Sequence, residues 1–121
     1  MQKTLEGRRI LVVEDEFLIA MEVEDILRGL GAEVVGPFGR VEPALGAVQK
    51  EVLDGAILDV RLDGETSEEI AAVLVSRGVP VLLTTGYEGE QLPPDLRHLP
   101  RLRKPKGTNE TRVLQEGAES G

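Results

Sequence analysis

Ile10-Leu11-Val12-Val13-Glu14-Asp15-Glu16 sets four aliphatic residues in a row and then breaks them at once with three acids. An apolar run of this length with no polar alternation suits a strand covered on both faces, as in a parallel sheet between helix layers. The period then changes. From Phe17 to Leu30 the apolar positions Ile19, Val23, Ile26, Leu27 and Leu30 repeat at helical spacing, and Gly31 supplies the stop. Further along, Glu33-Val34-Val35-Gly36 reads as a short second strand stopped by Pro37. A second helix starts near Pro43, a residue suited to a first helical turn, and carries Leu45 and Val48 inward. Ala56-Ile57-Leu58 is a third strand running into Asp59. A third helix spans about Ser67 to Ser76, with Ile70, Val73 and Leu74 on one face and Gly78 closing it. Val79 to Leu83 is a fourth strand ending in Thr84-Thr85-Gly86. Strand and helix alternate throughout, which predicts an α/β domain around a parallel sheet.

Beyond residue 87 the pattern weakens. Gly89, Pro93, Pro94 and Pro100 leave room only for a fourth helix that is short, broken or absent. Arg101-Leu102-Arg103 fits a short edge strand, with arginines alternating around one leucine. Past Pro105 the large apolar residues are Val113 and Leu114 alone, so a frayed helix or a disordered tail is expected. The organisation is an N-terminal extension over 1–7, one domain over 8–106 and a tail over 107–121.

Composition narrows the function classes. A formal net charge of −8 argues against nucleic-acid binding, which needs basic surface against phosphates, and suits a metal ion or a basic partner. The basic stretch Arg97-His98, Arg101, Arg103, Lys104 and Lys106 reads as a solvated edge, and His98, the one histidine, as a surface residue. Cysteine is absent, which rules out disulfides and thiolate metal sites. Aromatics are only 2%, so the core must be aliphatic. No apolar stretch approaches the roughly 18 residues of a membrane span, and the N-terminus lacks a signal peptide's apolar core. A cytoplasmic protein with no membrane insertion is the expectation.

In open α/β sheets, sites form beyond the carboxyl ends of the strands. Those ends carry Glu14, Asp15 and Glu16 after the first strand, Asp59 after the third, Thr85 after the fourth and Lys104 after the proposed fifth. Carboxylates held this close repel, and a hard divalent cation relieves the conflict; Mg²⁺ takes one or two carboxylates, water and phosphate oxygens. One carboxylate remains as a nucleophile able to form an acyl phosphate. Lysine offers a compact charge to the phosphate, and threonine a hydrogen bond. Each residue also has a plainer role. The acids favour a helix N-terminus by charge alone, Asp59 could cap a turn, Thr85 could satisfy a loop and Lys104 could be a surface lysine.

Taken in order, these segments resemble the receiver domain of two-component response regulators, from about Arg8 to Pro105. Ile10 to Glu16 resembles the family's first strand and acidic pair, and Ile57-Leu58-Asp59-Val60-Arg61-Leu62 its phosphoacceptor segment. Pro80 through Thr85-Gly86 resembles the strand with the switch threonine, and Arg103-Lys104-Pro105 the lysine–proline pair. The resemblance implies a flavodoxin-like, doubly wound, five-stranded parallel sheet of order 2-1-3-4-5, with an irregular fourth helix and a weak or missing fifth. It implies phosphorylation of Asp59 and Mg²⁺ as cofactor. Asp15, Asp59 and the backbone carbonyl of Arg61 would ligate the ion, with Glu14 acting mostly through water. Thr85 and Lys104 would answer the phosphoryl group. Pro80 to Tyr87 looks like the subgroup with a Phe-Ala-Thr-Gly-Tyr-type fourth strand, which implies a sensor histidine kinase of HWE or related type as partner and a downstream protein target. Tyr87 would be either a packed loop aromatic or a gate beside the pocket.

The sequence departs from the family in three places. Glu14 stands where Asp is usual, Arg101 where an aromatic residue is common, and Lys106 where an apolar residue is typical. Arg101 has no ring to serve the family's aromatic-rotamer readout. A missing fifth helix would leave an apolar patch that invites a partner or a homodimer. Two rival functions stay open: a phosphorylation-independent receiver-like interaction module, and an aspartyl-phosphate phosphatase. The phosphatase lacks its usual general acid, since the position two beyond Asp59 is Arg61. A domain that turns over no external substrate is the expectation.

Overall fold

The computed structural model describes residues 4–86 and 92–104. Five parallel strands form one sheet: β1 (Arg9–Val13), β2 (Glu33–Phe38), β3 (Gly55–Asp59), β4 (Val81–Thr85) and β5 (Arg101–Arg103). Their order is β2-β1-β3-β4-β5, the flavodoxin-like order. Helices α1 (Phe17–Gly29), α2 (Val41–Lys50) and α3 (Glu68–Ser76) make the crossovers. A two-residue hairpin, Arg61–Leu62 with Glu65–Thr66, follows β3 and turns at Gly64.

Successive residues of β1 feed opposite layers, as the pleat requires. Leu11 and Val13 join Ala56, Leu58, Val81 and Leu83 under α2 and α3, where Ala44, Val48, Ile70 and Leu74 close the core. Ile10 and Val12 meet Ile19, Val23 and Leu27 of α1 on the other side. This second layer is thinner: Ile57 and Leu82 are half-buried, and Leu102 of β5 is 58% exposed. Leu102, between the two exposed arginines of the edge strand, is thus itself open to solvent.

Two sequence expectations need correction. Pro37 does not stop β2, which runs on to Phe38. β2 is an edge strand, and its pairing slips between Leu11↔Val35 and Val13↔Phe38, so a residue without an N–H is accommodated at the irregularity. Gly36 is required there: its φ is +110°, and a Cβ would stand 2.8 Å from the Val12 carbonyl oxygen. Ile26 does not face the core either; it is 56% exposed, while Ile19, Ala20, Val23 and Leu27 fill the narrow contact with the sheet. Helix α1 ends at Gly29, with Leu30 as its C-cap and Gly31 at positive φ beyond it. Helix α2 begins at Val41, so Pro43 sits inside its first turn.

In the proline-rich stretch, the helical element among the described residues is the single 3₁₀ turn Pro94–Leu96, which buries Leu92 and Leu96 against the α3 side. Tyr87, Pro105 and the expected tail over 107–121 lie outside the described residues. No helix among the described residues is long and apolar enough to cross a membrane.

Candidate functional site

Register brings the strand ends together. β1 pairs with β3 through Val13↔Leu58, so Glu14 and Asp15 emerge beside Asp59. β3 pairs with β4 through Asp59↔Thr84, and β4 with β5 through Thr85↔Arg103, which delivers Lys104 to the same edge. Carboxylate oxygens of Glu14, Asp15 and Asp59 all lie within 4.8 Å of one another. Asp59 is 2% and Glu14 6% exposed, whereas Asp15 faces solvent, so one acid is open to water and two are withdrawn from it.

Lys104 Nζ sits among the acids. It is 2.9 Å from Asp59 Oδ2 and donates to Glu14 Oε2 at 3.2 Å and to Glu16 Oε1 at 3.1 Å. Backbone groups fix the acids: the Arg61 N–H donates to Asp59 Oδ1 at 3.3 Å, and the Glu16 N–H to Glu14 Oε2 at 2.9 Å. Thr85 is buried at the end of β4, and its carbonyl accepts the Lys104 N–H at 2.8 Å. Its neighbour Thr84 is the register partner of Asp59, and the Thr84 carbonyl accepts the Val60 N–H. A polar cleft of about 550 Å³, lined by Asp15, Gly39, Arg40 and Asp63, opens beside the cluster and gives it access to solvent. Arg101 is exposed at the head of β5, and Arg97, His98 and Arg103 are also on the surface.

The acids carry more negative charge than their surroundings favour. Burial pushes the Glu14 carboxyl up to about 7; the Asp59 charge adds to this, while hydrogen bonds from the Glu16 amide and Lys104 oppose it. Burial also raises Asp59, against the contacts from Lys104. Lys104 is held above its ordinary value: burial disfavours the ammonium, but Asp59, Glu16 and Glu14 outweigh it. Three hard oxygen donors with a surplus of negative charge, beside a wet cleft, fit a divalent cation such as Mg²⁺.

The sign of the pH dependence follows. Below about pH 4.5 Glu14 is protonated whether the chain is folded or not. As pH rises towards 7 the unfolded chain loses that proton while the folded chain keeps it, so stability falls across this window, and Asp59 acts in the same direction. In divalent-free buffer, urea unfolding should give a lower free energy at pH 7.5 than at pH 5, and Glu14→Gln should flatten the difference. A free energy that rises over this range would show that the acids are not strained.

In sequence Glu16 is one acid of a run that favours a helix N-terminus by charge, and its contact with Lys104 appears only in the structure. The available signal was its place at the N-cap of α1, where Glu is a poor capping residue.

Comparison with known proteins agrees with this geometry. No family model matches the chain. The solution structure of SdrG from Sphingomonas melonis Fr1 superposes with a TM-score of 0.74 and 36% identity over 100% of both chains. The BeF3-activated conformation of SdrG from Pseudomonas melonis Fr1 gives 0.69 and 38%, covering 92% of this chain and 94% of that one. A CheY-like response regulator receiver domain protein from Methanospirillum hungatei JF-1 shares the fold, with a TM-score of 0.71 at 22% identity, covering 95% of this chain and 94% of its own. The transcriptional regulatory protein PdtaR of Mycobacterium tuberculosis is 30% identical over 86 residues, 70% of this chain and 42% of PdtaR. The chain thus spans less than half the length of the curated relatives it matches. Fold and strand-end acids together define a CheY-like α/β module. The chain belongs to the response-regulator receiver domains.

Proposed function

We propose that this receiver domain is a phosphorylation switch that accepts a phosphoryl group on Asp59. The observation that carries the reading is the juxtaposition of Asp59 with Glu14, Asp15 and the Lys104 ammonium in one half-wet cluster. Asp59 is the acid best placed as nucleophile: it is fixed by the Arg61 amide, and its second oxygen lies 2.9 Å from a cation. Asp15, Asp59 and the Arg61 carbonyl would hold Mg²⁺, with Glu14 acting mostly through water. An ion held there would supply positive charge against the phosphate oxygens. Lys104 is positioned to receive a phosphoryl oxygen. Thr85, whose carbonyl accepts the Lys104 N–H, would then donate its hydroxyl to the phosphoryl group. The phosphoryl group adds charge and acceptor oxygens, and the loops after β3 and β4 rearrange around it.

The donor is a sensor histidine kinase of HWE or related type, and the output is altered binding of a downstream protein in the cytoplasm. Residues 8–106 make up the receiver. The domain turns over no external substrate. The BeF3-activated state of SdrG, 38% identical, supports the reading, since that relative responds to a phosphoryl mimic.

A Mg²⁺ titration followed by backbone amide resonances tests the metal part. Saturable shifts should centre on residues 14, 15, 59 and 61, and Asp15→Asn should weaken the affinity about tenfold or more. Failure of the wild type to show a saturable response would remove Mg²⁺ from the account.

A further inference from the structure

The Lys104 ammonium has three hydrogens and three carboxylate neighbours: Asp59 at 2.9 Å, Glu16 at 3.1 Å and Glu14 at 3.2 Å. The three are not equivalent. The side chains of Asp59 and Glu14 are 3% and 4% exposed and belong to the metal-capable group, whereas that of Glu16 is 62% exposed and lies outside it. Any ligand that takes up Glu14 and Asp59 leaves Glu16 as the remaining acid on Lys104.

Glu16 is also committed to this contact by its place in the fold. It is the N-cap residue of α1, yet its side chain makes no capping bond to the helix. Its N–H is tied to Glu14 Oε2, and its carbonyl accepts the Ala20 N–H. The backbone is thereby pinned between the end of β1 and the first helical turn, and the carboxylate spans from there to a residue 88 positions further along the chain.

We propose that Glu16 is a positioning residue, the resting partner that holds Lys104 at the rim of the site and opposes its transfer onto a phosphoryl group. The inference rests on the phosphoacceptor reading. A lysine leaving Glu16 for the phosphoryl oxygens gives up one charged contact in return for another, so the Glu16 contact favours the resting state. Removing it shifts the balance towards the activated state.

The test compares wild type, Glu16→Gln and Glu16→Asp, each also in a Lys104→Met background. With Mg²⁺ present, beryllofluoride should bind both single variants about two- to five-fold more tightly than wild type, the range for one exposed charged contact. Aspartate keeps the charge but is one methylene too short, so it should behave like glutamine. In the Lys104→Met background the Glu16 substitutions should have no effect. In the resting, Mg²⁺-free protein, the Lys104 ammonium ¹⁵N resonance should exchange faster with solvent in both variants than in wild type. A change in Glu16→Gln alone, persisting without Lys104, would mean a simple charge effect and overturn the inference. So would wild-type binding with all affinities and the lysine resonance unchanged. Failure of wild type to bind beryllofluoride overturns the phosphoacceptor reading itself, and the inference with it.

Discussion

Lys104→Met is expected to tighten Mg²⁺ binding about tenfold while lowering the stability of the metal-free protein at pH 7.5 by about 3 kcal/mol. Both effects come from the ammonium 2.9 Å from Asp59 and 3.2 Å from Glu14. Two unit charges 4 Å apart at an effective dielectric near 20 interact by about 4 kcal/mol, and a third of that is already a factor of ten in affinity. The lysine therefore competes with a divalent cation for the same two acids. Without a metal, it is the cation that makes their burial tolerable. Its side chain is 9% exposed, so little water is at hand to replace it. Methionine keeps much of the aliphatic volume, which confines the change to charge. Calorimetric Mg²⁺ titration and urea unfolding measure the two halves. Unchanged Mg²⁺ affinity together with unchanged stability would show that Lys104 does not stand in the acidic cluster.

Much of this arrangement could be read from sequence because the informative residues sit where a buried strand ends. Val13, Leu58 and Leu83 are fully or almost fully buried, and a continuous apolar run interrupted by an acid or a threonine marks such an end without any knowledge of pairing. The order of the sheet came from the family resemblance, because periodicity alone cannot say which strands are neighbours. Local pattern failed where tertiary context decides. Ile26 matches the helical spacing of α1 yet is exposed, because it adjoins Leu27 and both cannot point at one narrow strip of sheet. Pro37 looks like a strand terminator, but β2 is an edge whose register already slips at that point. Glu16 escaped assignment because its partner is 88 residues away and no spacing rule links them.

The second large effect concerns Asp59 itself. Four other acids stand near the site or its cleft: Glu14, Asp15, Glu16 and Asp63. Asp59 differs from them in combining burial, an amide holding one oxygen and the Lys104 cation at the other. Asp15 faces solvent, and Glu14, though also buried, takes the Glu16 amide and Lys104 on one and the same oxygen, Oε2. Attack by an Asp59 oxygen on the phosphorus of a small acyl phosphate would form the aspartyl phosphate and release the donor's carboxylate. Alanine at this position leaves no equivalent nucleophile, so the loss should be complete rather than graded.

Intact mass after incubation with Mg²⁺ and acetyl phosphate tests this most directly, with wild type and Asp59→Ala side by side. One phosphoryl adduct is expected on wild type, dependent on Mg²⁺, and none on the variant. A folded wild type that takes no adduct, or an Asp59→Ala protein that takes the same one, would contradict it.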